Sequence, residues 1–242
     1  MNRFVSTFTL FASTLSVCAA AQAAPPAAVQ QTICRPHFHV DGQVLSAGTA
    51  FAIDLPGPAS RTLLATAIHL FGPPGGLKEA IPAAELAQRV SGVECNALGS
   101  DDVWHAGRAL TISGARPMDG SYLKDAAAFV LDKAGKTPTA HLKLAAIPPK
   151  PGDTVWLLAQ AVEGAPPTQL LHRAVVRHAG DDGLQYEFDN AALAMRATSG
   201  APALNDDGDV VGIHLGGGKK DGKLLGIADS LTSLRSLLGS AR

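Results

Sequence analysis

Charge of one sign, repeats, later hydrophobic runs and cysteine are all scarce or missing in this chain. Its 20 Lys and Arg stand against 21 Asp and Glu, a formal net charge of −1 at pH 7. That balance offers no basic surface for nucleic acid or an anionic membrane. Beyond the N-terminal stretch no apolar run is long enough to span a bilayer, and no internal repeat suggests a solenoid or propeller. Only three cysteines occur, Cys18, Cys34 and Cys95, with no ligand cluster beside them, which argues against zinc. Aromatic residues make up 5% of the chain while 25 Gly and 16 Pro punctuate it, a composition that fits many short strands and turns.

What is present begins with an export signal. Arg3 gives a short positive start, Phe4–Val17 is mostly apolar, and Ala21-Gln22-Ala23 is a small-x-small cleavage site. Residues 1–23 read as a signal peptide, with lipid attachment at Cys18 as an alternative that the bulky Val17 disfavours. Removing Arg3 leaves 19 Lys and Arg against 21 Asp and Glu, a net charge of −2. The mature chain is long enough for one domain with a sizeable core, or for two small fused halves. In a secreted or periplasmic setting Cys34 and Cys95 most simply form one disulfide tying the N-terminal segment to a later loop; two unrelated buried thiols are the alternative.

Residues 24–31 form an Ala/Pro/Gln linker, expected to be disordered. Short apolar runs then alternate with turn residues: Phe38–Leu45, Thr49–Leu55, Leu63–Ala65, Ala109–Ser113, Ala127–Leu131, Thr154–Leu158, Leu170–Arg177, Gln185–Asp189, Ala203–Leu204, Val210–His214 and Leu224–Ile227. Such spacing predicts an all-β sandwich or barrel rather than βαβ units. Ile147–Asp153, rich in Pro and Gly, divides the chain near its middle. Ile81–Val90 carries a weak helical signal. A stronger one covers 229–239, where Leu231, Leu234, Leu237 and Leu238 share a face, Asp229 or Ser230 can cap the start and Gly239 the end.

Three local contexts carry chemistry. Ala197-Thr198-Ser199-Gly200-Ala201-Pro202 puts a serine on a tight turn, beside backbone N–H groups that can meet an anion. His69 follows the apolar run Leu63–Ile68, and Asp125 opens the run Ala126–Leu131. Singly, each is more often a structural or turn residue. Together, in the order His, Asp, Ser, they resemble the trypsin/chymotrypsin-like serine peptidases. Gly48–Ile53 followed by Ala65–His69 is similar to the family's histidine motif, Lys124–Phe129 to its aspartate motif, Thr198–Pro202 to its nucleophile motif, and Gly152–Leu157 to the opening of its second barrel.

The resemblance covers essentially the mature chain. It implies two antiparallel six-stranded β-barrels, over about 32–147 and 152–228, with a C-terminal helix. It also implies an exported serine endopeptidase in which His69, Asp125 and Ser199 form the catalytic triad and work through an acyl-enzyme. Ala197 and Ser199 would supply the oxyanion-hole N–H groups, and His214, Leu215 and Gly216 would line the substrate-binding edge. A polypeptide substrate, a monomer and no cofactor follow, with no nucleic-acid partner and no membrane association after signal cleavage.

The departures are informative. Ala197 stands where the family has glycine, and Ala201 replaces a second frequent one. Thr198 stands where trypsin has the acid that pairs with its new N-terminus, so trypsin-type activation is not expected. Gly212-Ile213-His214-Leu215-Gly216-Gly217 resembles the bacterial, glutamyl-endopeptidase-like branch, making His214 a candidate reader of an acidic P1 side chain. Ala194 lacks the hydroxyl usual beside that histidine, and a buried structural histidine is the alternative. A non-catalytic binding protein and an esterase using the same triad remain as rival functions. Gly217–Leu224 nearly spells a phosphate loop but lacks its final Ser/Thr and reads as a hairpin. Asn205–Asp209 reads as a turn, and His37 with His39 as a surface pair.

Overall fold

A computed structural model describes residues 24–55, 61–117 and 124–242. The signal-peptide segment, with Cys18, lies outside the described residues. The first barrel is built from β1 (Ile33–Val40), β2 (Gln43–Ser46), β3 (Ala50–Leu55), β4 (Arg61–Thr66), β5 (Val90–Ala97), β6 (Val103–Ala109) and β7 (Ala127–Leu131). Its strand order is β2-β1-β3-β4-β7-β6-β5, and β1 also pairs with β5, closing six antiparallel strands with β2 as an outlying ribbon. A short helix, α1 (Ala83–Arg89), precedes β5. The second barrel comprises β8 (Thr154–Leu158), β9 (Leu171–Gly180), β10 (Gly183–Phe188), β11 (Pro202–Leu204), β12 (Val210–Lys220) and β13 (Lys223–Ser230), closed in the order β10-β13-β12-β11-β8-β9. Helix α2 (Leu231–Ser240) ends the fold.

Period-two burial drives the barrels. In β1, Cys34, Pro36, Phe38 and Val40 point into the core while Arg35, His37 and His39 are only partly covered. Phe38, Phe71 and Phe129 meet inside the first barrel with centroids 4.7 to 6.2 Å apart. Tyr186 and Phe188 occupy the second. Between the barrels, Leu142 exchanges backbone hydrogen bonds with β3, and Lys143 and Ala145 do so with Val210 of β12. This connector stitches the two together.

Several expectations need correction. Residues 24–31 are no disordered linker: Ala27–Thr32 form a 3-10 helix, with Val29 and Thr32 buried and Val29 packed on Gly208 of the second barrel. Burial of one valine and the Thr32 Oγ1 bond to the Val29 carbonyl, 2.6 Å, hold what composition alone cannot. Strand β5 was hidden in sequence because Ser91 and Gly92, at a register slip against β1, interrupt the alternation that Val93, Glu94, Cys95 and Asn96 keep. The run 109–113 contributes only Ala109, the last residue of β6. Cys34 and Cys95 form a disulfide, yet Cys95 sits in β5 rather than a loop. Ser230 alone caps α2, accepting from the Ser233 N–H, and Gly239 lies within its last turn.

Candidate active site

Strand pairing brings His69 and Asp125 together. β4 and β7 run antiparallel with Thr66 opposite Ala127, so the end of one meets the start of the other. After Thr66 the chain tightens into a 3-10 turn, Ile68–Phe71, that carries His69. His69 Nδ1 donates to Asp125 Oδ2 at 2.8 Å, and the His69 backbone N–H donates to Oδ1 at 3.0 Å. Asp125 is fully buried and His69 is 4% exposed. The carboxylate fixes the ring orientation and leaves Nε2 as the free face of the imidazole.

Behind this pair stands a second carboxyl that the sequence reading treated only as a helix cap. Asp229 Oδ2 accepts the Asp125 N–H at 2.6 Å, and its Oδ1 has no partner among the described residues. Burial pushes Asp229 up to about 8, with the charge of Asp125 acting in the same direction. That shift disfavours a second negative charge behind the imidazole.

Ser199 enters from the other barrel, on the turn leading into β11. Its Oγ donates to the Leu215 carbonyl at 3.1 Å, and among the described residues no hydrogen bond joins it to His69. The turn nevertheless lies against the histidine segment. Thr49 N–H donates to the Ser199 carbonyl at 2.9 Å, and a Cβ built on Gly200 would fall 2.2 Å from Thr66 Oγ1 and 2.4 Å from the Thr49 carbonyl. Gly200 has φ +85°, so glycine is required there on both conformational and steric grounds.

Ala197 adopts the left-handed conformation, φ +61°, despite its Cβ. That costs about 1–2 kcal/mol. The Ala197 carbonyl accepts from Thr49 Oγ1 at 2.8 Å and from Arg35 Nη1 at 2.5 Å. Such bonds contribute ~1 kcal/mol when neutral and about 1.5–3 kcal/mol when charged, enough to offset the strain. Thr198, where an acid was absent, turns its hydroxyl to the Met195 carbonyl at 2.7 Å. The N–H groups of Ala197 and Ser199 have no internal partner among the described residues.

His214, Leu215 and Gly216 lie on β12, where Gly216–Lys220 pair with β13 alone and leave the other edge unpaired. His214 is fully buried; its Nδ1 shares a 2.6 Å hydrogen bond with Tyr186 Oη, and its Nε2 has no partner among the described residues. Burial, then the charge of His69, holds His214 down at about 3, so it stays neutral at physiological pH. Arg35, Thr49, Asp229 and Tyr186 were missed as site residues. The local pattern marks Arg35 only as a part-covered cation between apolar residues of β1 and says nothing of its partners. A groove of about 810 Å³ beside the connector, lined by Leu55, His141, Asp209 and Arg235, shares no residue with this cleft.

No family model and no curated protein matches the chain. Solved structures do. The Rv3671c protease of M. tuberculosis in its active form superposes with a TM-score of 0.56 and 18% identity, covering 97% of this chain and 94% of that one. The thermostable serine protease AL20 from an extremophilic microorganism gives a TM-score of 0.58 at 16% identity, covering 88% and 98%. The fold is chymotrypsin-like. His69 and Asp125 come from the first barrel and Ser199 from the second. At these identities the likeness is one of fold.

Proposed function

We propose that the chain is an exported serine endopeptidase acting through a Ser199 acyl-enzyme. Ser199 Oγ attacks the scissile carbonyl while His69 Nε2 takes its proton, and His69 then returns that proton to the leaving amine. Asp125 stabilises the imidazolium. The carbonyl oxygen, negative in the tetrahedral intermediate, is met by the Ala197 and Ser199 N–H groups. The unpaired edge of β12 receives the peptide as an added strand, with His214, Leu215 and Gly216 at its head. The disulfide and a signal-like N-terminus support a secreted or periplasmic location.

The observation that carries this reading is the His69–Asp125 pair facing a serine turn with two unpartnered N–H groups. Its rival, a peptidase-fold protein that binds without turnover, draws on Ala197 in place of glycine. The left-handed geometry of Ala197 favours the active reading. The test is fluorophosphonate labelling of the mature chain together with hydrolysis of a peptide panel spanning acidic and apolar P1 residues. Labelling and turnover are expected in the wild type, with Ser199→Ala and His69→Ala each losing roughly 10⁴- to 10⁶-fold in kcat. A well-folded wild type that neither labels nor cleaves sinks the proposal.

A further inference from the structure

Arg35 is an unusual cation. It sits partly buried on β1 of the first barrel and forms no ion pair among the described residues. Its guanidinium instead bonds to neutral acceptors from both barrels: the Gly48 carbonyl at 3.2 Å, Thr49 Oγ1 at 3.2 Å, the Ala197 carbonyl at 2.5 Å and the Gln160 carbonyl at 2.8 Å. A cation withdrawn from water without a counterion is unfavourable unless its donors are met, and here the acceptors converge on it. Thr49, fully buried, adds its own bond to the Ala197 carbonyl.

These bonds fall on the residue that most needs holding. Ala197 occupies the left-handed region, which its Cβ disfavours, and its N–H is one of the two free donors of the site. Unrestrained, the residue relaxes to negative φ and the peptides flanking it turn. Thr198 supplies no carboxylate that could anchor the loop through a new amino terminus. We propose that Arg35 and Thr49 are positioning residues of the oxyanion hole, a clamp from the first barrel that holds Ala197 in the conformation glycine adopts freely. The assignment rests on the serine-peptidase reading above.

The test pairs Arg35→Met, Arg35→Lys and Thr49→Val with Ala197→Gly, alone and combined. It measures Tm, kcat and KM on a peptide amide, and the affinity of a peptide aldehyde, whose adduct places an oxyanion in the hole. Arg35→Met is expected to lower kcat about 10- to 100-fold, less than the ~10²–10³-fold of a deleted donor, with KM nearly unchanged and aldehyde affinity falling by the same factor. Thr49→Val follows the same pattern more weakly, and Arg35→Lys recovers part of the activity. On the Ala197→Gly background Arg35→Met lowers kcat far less than it does with Ala197 present, because glycine needs no clamp. Should Arg35→Met fail to fold, Thr49→Val with and without Ala197→Gly decides. Unchanged kcat, or a loss that Ala197→Gly does not relieve, overturns the clamp. A wild type without turnover fails the peptidase reading separately. The crystal structure of Arg35→Met then judges the clamp, which is overturned if Ala197 keeps φ near +61° and upheld if φ turns negative.

Discussion

The two barrels assemble their shares of the site by different means. In the first, His69 and Asp125 meet because β4 and β7 are sheet neighbours, and the pair is bonded directly. That barrel is also tied by Cys34–Cys95 across β1 and β5 and filled by three phenylalanines. The second barrel has Tyr186 and His214 hydrogen-bonded in its core and contributes Ser199, whose turn is bonded within that barrel, through Gly200 and Ala201 to His214, and also from outside. Thr49, Thr66 and Arg35, all from the first barrel, grip the carbonyls or the glycine of that turn. The His69–Asp125 pair is thus a product of sheet register within one barrel, whereas the Ser199 turn depends on bonds within its own barrel and on docking to the other. Damage to the docking surface should reach Ser199 before it reaches His69.

The largest effect on stability is expected from the staple. The disulfide spans a sequence separation of 61, for which chain-entropy reasoning gives about 4 kcal/mol. Replacing both cysteines by alanine should lower Tm by about 8–16 °C in a chain of this size. Because strand register survives, kcat measured well below the transition should change little. Calorimetry and kinetics on the double variant check both, and a collapse of kcat at unchanged Tm would contradict the separation of staple from site.

Next comes the docking surface. Gly200→Ala forces a Cβ into Thr66 Oγ1 at a residue with φ +85°. The turn must withdraw from the first barrel, and kcat/KM is expected to fall at least ~10²-fold, comparable to losing a hole donor. The His69–Asp125 bond should persist, visible by NMR as a downfield Nδ1 proton retained in the variant. Loss of that proton along with activity would show that the two halves are not assembled independently.

How much of this was legible follows the same division. His69, Asp125 and Ser199 announced themselves through local contexts, because each motif is a contiguous run whose small and apolar residues are fixed by its own turn or strand. The strands that are almost continuously apolar and buried, such as Thr154–Leu158 and Ala127–Leu131, were placed at their observed bounds. β5 was not, since Ser91 is an extra residue where β5 slips register on β1 and with Gly92 breaks the period that Val93–Asn96 keep, and its covered face is defined only by β1 and β6. The supports of the site were equally hidden. Arg35 acts on Ala197 across 162 residues, and Asp229 on Asp125 across 104. No window of sequence contains such pairs, so Asp229 looked like a helix cap and Thr49 like the edge of a strand.

Asp229 also qualifies the contrast between the barrels, and it supplies the smallest expected effect. It belongs to β13 of the second barrel, yet its carboxyl takes the N–H of Asp125 in the first. Docking therefore supports the acid–base pair too, from behind. Its folded pKa is raised to about 8, against an ordinary aspartate value near 3.8. Between those values the folded chain keeps a proton that the unfolded chain releases, so this group's contribution to stability is full below about pH 4. It declines as pH rises through the folded value near 8 and is level beyond it. Asp229→Asn keeps an acceptor for the Asp125 N–H but cannot ionise. The variant should match the wild type near pH 4.5 and exceed it at pH 9 by on the order of 1 kcal/mol, about 2–4 °C in Tm. Thermal denaturation of both proteins across that range is the measurement. Parallel Tm–pH curves would mean that Asp229 is already ionised at neutral pH, and that two charges, not one, stand behind His69.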